Sequence, residues 1–358
     1  MQHKTLTMGL VSMAMLALGG CDAGAGARNY VHAVGSSTVY PFAKQISESF
    51  SRSNPDYSSP LIESTGSGNG IQLFCRGLGS ANPDMVNASR RMKPSEFDKC
   101  VENGVDDIIE LQVGLDGIAF ASAAGGITLN LSPKIIYEAL AAKPYGKEQT
   151  ATTWRDVDPS LPDEPIQVYG PPSTSGTRDA LKELVLEVGC DTNPAMKALK
   201  EKDEDLHQQV CTEVRSDGAY IDQGEQDNLI VQKIESNPRS VGLFGFSYLD
   251  ENKQKVQGLT MNGVTPTYDN IASFDYPGAR PLYVYVKKAH MRAIPGIQAY
   301  LDEWVKNWER GGSLAKIGLV ASPPEEMSAN ARKVSALLTL TRADLTGERV
   351  EDSEATGE

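Results

Sequence analysis

The sequence predicts an α/β fold in two domains, and three observations point there. Short apolar runs alternate with helix-spaced apolar positions from residue 30 to about 330. Three of those runs lead through small, hydroxyl-rich loops straight into a helix. The chain has 358 residues with 40% hydrophobic content, room for two cores at roughly 150 residues per domain.

The elements follow in order. Tyr30–Val34 is an apolar run, and Phe42, Ile46 and Phe50 then share a helix face. Pro60–Glu63 is a second run, with a helix around Ile71–Arg76. Ile108–Val113 and Gly117–Ala121 read as two strands. Thr128–Leu140 reads as a helix with Leu131, Ile135, Ile136 and Leu140 on one side. Ile166–Tyr169 is a strand, and Ala180, Leu181, Leu184, Val185 and Val188 then recur at helical spacing. Asn228–Ile234 is helical, Val241–Phe246 and Leu282–Val286 are strands, and Ile297–Trp308 is a helix. Residues 342–358, acidic and poor in apolar side chains, read as a solvated tail.

The N-terminus reads as an export signal. Lys4 supplies a positive start, and MGLVSMAMLALGG is too short for an ordinary membrane span. Leu18-Gly19-Gly20-Cys21 resembles a bacterial lipoprotein signal, which makes Cys21 the lipidated first residue after removal of residues 1–20. The alternative is ordinary secretory cleavage near Ala23–Ala27. Residues 21–29 read as a tether.

Export places the other cysteines in an oxidising compartment. The spacing of Cys75, Cys100, Cys190 and Cys211 suggests two local loops, Cys75–Cys100 and Cys190–Cys211, although three pairings are possible. Neither C-x-x-C nor His-rich spacing suggests a metal or a cofactor, and His32, His207 and His290 are scattered. With 34 basic and 47 acidic residues the net charge is −13, which argues against nucleic acid and against a polybasic membrane surface. A small anion is not excluded, because sites built from backbone dipoles act at contact range.

The loops carry the chemistry. YGPPSTSGTRDA (169–180) places Ser173, Thr174, Ser175, Gly176, Thr177 and Arg178 at a helix start. One hydroxyl suffices as an N-cap. More than that, with a glycine for close approach, suits an anion held by free N–H groups and the helix dipole. Val34-Gly35-Ser36-Ser37-Thr38-Val39-Tyr40-Pro41 and Ser64-Thr65-Gly66-Ser67-Gly68-Asn69-Gly70 have the same plan. Ligands of open α/β sheets sit at such strand ends.

In order, GSSTVYPF, ESTGSGNGI, ASRRM, GPPSTSGTRDA and YIDQGEQDNLIVQKIESNP…GLFGFSYL resemble the PstS-type phosphate-binding proteins of bacterial ABC phosphate importers, over roughly residues 30–320. The resemblance implies a type II periplasmic binding-protein fold: two α/β domains around a ligand cleft, joined by two hinge crossings. The crossings are expected near Val113–Gly117 and Ala279–Tyr283, giving a discontinuous first domain (30–115 plus 282–335) and a second at 116–281. The implied partners are inorganic phosphate, the importer's permease subunits and, through the lipid, a membrane. The protein is expected as a monomer.

Carried over by motif, the phosphate contacts are Ser37, Thr38 and the Val39 N–H, then Ser67, then Ser175, Gly176 and Thr177. Two departures follow. Many members have Ala-Ser-Asp where this chain has Ala88-Ser89-Arg90, and an arginine where it has Pro171. Arg178 is the natural substitute, and Arg90 is either a second contact or an ion pair across the cleft. Phosphate at neutral pH keeps a proton that sulfate lacks, so a carboxylate acceptor discriminates between them. Asp222, Asp227 and Asp179 are candidates for it. The competing functions are a receptor for sulfate, molybdate or a phosphonate, and a phosphatase or serine hydrolase. Against an enzyme, neither Ser67 nor Ser175 sits in Gly-x-Ser-x-Gly, and no clustered Asp/His ligands are visible.

Overall fold

The computed structural model describes residues 28–224 and 227–347. The expected signal segment, Cys21, most of the tether and residues 348–358 lie outside the described residues.

One sheet runs through the molecule. Its first half holds β1 (His32–Gly35), β2 (Leu61–Ser64) and β3 (Met85–Ala88), with β2 and β3 parallel to β1 on either side. Each strand is followed by a helix: α1 (Tyr40–Ser53), α2 (Ser67–Phe74) and α3 (Pro94–Glu102). The long strand β4 (Ile108–Ala123) leads into the second half. There lie β5 (Val168–Gly170), β6 (Tyr220–Asp222), β7 (Val241–Gly245) and β8 (Val256–Gly258). Strand β9 (Ala279–Lys287) returns to the first half. The order is β2-β1-β3-β9-β4-β7-β5-β6, with β8 on the far end of β4.

Ile108–Val113 and Gly117–Ala121 are therefore parts of a single 16-residue strand. Gly114 does not break it: a side chain there would strike Leu319 at 2.7 Å, so packing calls for glycine while the strand stays extended. Residues 108–117 of β4 pair with β9, and 118–121 pair with β7. Three apolar clusters form, two on opposite faces of the first-lobe sheet and one in the second lobe, and the handover between lobes falls between Val113 and Leu115 on β4 and between Ala279 and Leu282 on β9. Each lobe thus has its own apolar interior, the physical basis of the two-domain α/β fold.

Two other expectations are corrected. The helix expected over Thr128–Leu140 starts at α4 (Pro133–Leu140), because Ser132 accepts from the Ile135 N–H and Pro133 occupies the first turn. Asn130–Leu131 instead pairs with Thr260–Met261. The tail expected from 342 begins with a folded helix, Arg342–Thr346. Thr341 and Asp344 cap it reciprocally, and Arg91 donates to the Asp344 carbonyl at 2.7 Å.

Cys75–Cys100 and Cys190–Cys211 are disulfides, closing loops with separations of 25 and 21 residues. No described helix is long and apolar enough to cross a membrane.

Candidate anion site between the lobes

The first-lobe loops are fixed by the ends of the parallel strands. Gly35 leaves β1 with φ +132°, and a Cβ there would lie 2.0 Å from the Asn87 carbonyl oxygen, so only glycine fits. The Ser36 N–H bonds that carbonyl, and the Thr65 and Gly66 N–H groups bond the Gly35 carbonyl. Loops one and two are thereby locked together. The Ser36 hydroxyl accepts from the N–H groups of Thr38 (3.2 Å) and Val39 (3.4 Å), so the Val39 donor expected to face the ligand already has a partner. Ser67 turns toward β3, where its oxygen accepts from the Ser89 N–H at 3.0 Å. Arg90 forks onto Glu96 at 2.9 and 2.7 Å. That ion pair stays within the first lobe because Glu96 lies in the first turn of α3, capping Lys93; it does not cross the cleft.

The second-lobe loop starts a helical stretch that runs from Gly176–Ala180 through a π-turn at Leu181–Leu186 to Glu187–Cys190, here α5. Ser175 is its N-cap, accepting from the Thr177 N–H at 3.2 Å. The lobes meet at this point. A Cβ at Gly176 would lie 2.9 Å from the Thr38 Cα, and Ser37 donates to Asp179 at 2.5 Å. Arg178 is turned the other way. Its guanidinium lies 4.1 Å from the Tyr220 ring centroid and reaches the Pro171 carbonyl (3.1 Å) and Asp222 (3.3 Å). Burial pushes the Tyr220 hydroxyl up to about 12, keeping it a donor to the same Pro171 carbonyl at 2.8 Å.

A cavity of about 480 Å³ opens beside the contact between the lobes. Its wall includes Thr38, Ser175, Gly176 and Thr177 from the expected set, together with Asp116 and Asp227. Ser37, Val39, Ser67, Arg90 and Arg178 lie off that wall.

Asp116 and a second residue, Arg280, escaped sequence reasoning. Arg280 is 5% exposed at the start of β9. Its Nε donates to Asp116 at 3.2 Å, its Nη2 to Thr38 Oγ1 at 2.8 Å, and its Nη1 pairs with Glu183 on α5. Burial raises the Asp116 carboxyl above the usual range, while Arg280 and the Gly117 N–H pull it down. The available signal was a lone charge inside each apolar stretch, VGLDGIAF and ARPLYVYV.

Cys190, His207 and Cys211 lie together, but the two sulfurs are joined to each other and offer no thiolate to a metal. His207 bonds Asp191 at 2.7 Å.

Residues 22–307 match the PBP superfamily domain. Protein SphX of Synechococcus elongatus is 30% identical over 339 residues, covering 91% of this chain and 88% of SphX. The phosphate-binding protein PstS of Staphylococcus saprophyticus is 28% identical, covering 91% and 92%. The crystal structure of a possible phosphate binding protein from Planctomyces limnophilus superposes with a TM-score of 0.69 at 23% identity, over 87% of this chain and 99% of that one, which shows a shared fold. The chain belongs to the PBP superfamily and, within it, to the PstS-type phosphate-binding proteins that its loop motifs resemble.

Proposed function

We propose that this chain captures inorganic phosphate outside the cytoplasm and delivers it to the permease subunits of an ABC importer, with no chemistry of its own. One observation carries the reading: Thr38 and the Ser175-Gly176-Thr177 helix start, from opposite lobes, share one cavity wall. A hydroxyl on one side and a helix N-terminus on the other suit a compact anion enclosed by both. The relatives named PstS support phosphate as that anion. Among the described residues the cavity wall holds two serines and no histidine, which favours a receptor over a serine hydrolase.

In this reading the domains are 30–115 plus 282–335 and 116–281, hinged where β4 and β9 pass between the cores. Thr38, Ser175, Gly176 and Thr177 contact phosphate, and Ser37 and Ser67 join them when the lobes adjust around the ion. Arg178 and Arg90 brace their loops. Cys21 carries the lipid that holds the monomer at the membrane.

Isothermal titration tests the site. A hydrogen bond to a charged group contributes roughly 1.5–3 kcal/mol, so Thr177→Val is expected to weaken phosphate binding at least tenfold. Unchanged affinity in that variant would place the site elsewhere.

A further inference from the structure

We infer that Asp179 competes with the ion for Ser37: its carboxylate takes the hydrogen bond that the ion needs, and so holds phosphate affinity below what the loops alone would give. The inference rests on the cavity being the phosphate site and on Ser37 joining the contacts there.

Ser37 belongs to loop one of the first lobe, and Asp179 to the first turn of α5 in the second. The two segments abut. A Cβ at Gly176 would lie 2.9 Å from the Thr38 Cα, and the Asp179 N–H bonds the Ser175 carbonyl at 3.1 Å. The carboxylate is thereby fixed within one turn of the Ser175–Thr177 helix start. Across the contact, Ser37 Oγ donates to Asp179 Oδ2 at 2.5 Å, a length typical of a hydroxyl on a carboxylate.

A serine hydroxyl has one proton. That proton goes to Asp179 or to a phosphate oxygen, not to both. Thr38 is in the opposite condition. Its Oγ1 accepts from Arg280 at 2.8 Å, so its own hydrogen is left to donate, and the Gly176 carbonyl is a long 3.5 Å away. Thr38 stands on the cavity wall and Ser37 lies off it. Two neighbouring hydroxyls of one loop are therefore unequal: the first is directed toward a ligand, and the second is held by an acid of the other lobe.

Asp179 also competes through its charge. An acid in the first turn of a helix takes up part of the positive end of the helix dipole. The same end lines the cavity through Ser175, Gly176 and Thr177, so the carboxylate and the ion are like charges on one dipole. Lys182 stands 3.5 Å from Asp179 Oδ1 and offsets part of that charge, on the oxygen that does not hold Ser37. The ordinary role of such an acid is to stabilise its helix start. The two roles differ in sign: loss of helix support alone weakens the site, and loss of a competitor tightens it.

The experiment is a double-mutant cycle on Ser37 and Asp179, read by isothermal titration of the mature chain with phosphate and by thermal melts. Asp179→Ala is expected to tighten phosphate binding at least about threefold while lowering the melting temperature, since the helix start loses its acid. Ser37→Ala is expected to weaken binding at least about threefold more in the Asp179→Ala chain than in the wild type, because only there is the hydroxyl free for the ion. Asp179→Asn keeps the shape and a weaker, neutral acceptor, and is expected to tighten binding by less. It is the second reading should the alanine variant not fold. Unchanged or weaker binding in both Asp179 variants would overturn the inference, as would an equal cost of Ser37→Ala in the two backgrounds. If Thr177→Val weakens phosphate binding while the Asp179 variants leave it unchanged, only the role of Asp179 fails. If the wild type binds no phosphate, the site reading fails with it.

Discussion

Arg178 and Arg280 are buried to a similar degree, at 7% and 5% exposure, in opposite kinds of surroundings. Arg178 stays within the second lobe. It lies on the face of Tyr220 and bonds the Pro171 carbonyl and Asp222, whose side chain is 58% exposed. Arg280 touches both sides of the cleft: Thr38 of loop one, Asp116 at the crossing of β4, and Glu183 on α5. The arginine beside a motif in sequence supports its own turn, and the arginine far from every motif ties the site together. Nearness along the chain is a poor guide to which cation organises a cleft between lobes.

The largest expected effect comes from Arg280→Ala. Removing one partner of a buried ion pair typically destabilises by about 3–5 kcal/mol, because the remaining charge is left unpaired. At about 2 °C or more per kcal/mol, the melting temperature is expected to fall by about 6 °C or more. Phosphate binding is expected to fall with it, since Thr38 and Asp116 lose their common anchor. A variant that melts like the wild type and binds phosphate normally would erase the contrast between the two arginines.

Lys287 sharpens the comparison, as a buried cation whose ammonium reaches a carbonyl rather than a carboxylate. Its side chain is fully buried, donates to the Gly77 carbonyl at 2.6 Å and lies over the Phe74 ring. Burial lowers its pKa to about 8 from an ordinary value of 10.5. Between those pH values the unfolded chain holds a proton that the folded chain has released, so folding becomes more favourable as pH rises. The wild type is expected to gain on Lys287→Met by roughly 1.4 kcal/mol for each pH step of one between about 8 and 10.5, and by nothing further outside that window. Thermal melts of both proteins across that range check it, and a constant difference would contradict it.

The smallest effect is expected at Arg178→Lys. The cation–π contact with Tyr220 contributes about 1 kcal/mol and is partly kept by an ammonium. Phosphate affinity is expected to stay within threefold of wild type. A tenfold loss by titration would return Arg178 to the contact set and reverse the comparison.

What the sequence made legible was local. A strand followed by hydroxyls, glycine and a helix pattern spans fewer than about fifteen residues, so the loops that bring Thr38 and Ser175–Thr177 to the cavity wall could be picked out locally, although Ser67, singled out by the same pattern, lies off that wall. The two disulfides were legible for the same reason, as short closures. The Arg280–Asp116 pair spans 164 residues. It depends on the antiparallel register of β9 on β4, where Arg280 falls opposite Asp116, and hydrophobic periodicity does not specify which strands meet. The start of α4 was misread because Leu131 fits both the helix stripe and the strand pair it makes with Met261. The folded end at 342–346 was misread as tail because a single apolar side chain, Leu345, packs it onto the first lobe, and the rest of its order comes from a capping box and from Arg91.

The central claim is that phosphate binds in the cavity between the lobes, against Thr38, the Ser175–Thr177 helix start and Asp116. The most direct test is a crystal structure of the mature chain grown with phosphate. The account predicts one phosphate per chain, within hydrogen-bonding distance of the Thr38 and Thr177 hydroxyls and one Asp116 oxygen, with Arg280 still bridging Asp116 and Thr38. A phosphate seated instead on Arg178 and Asp222, or on Arg90 beside Ser67 with the Asp116 wall empty, would contradict it.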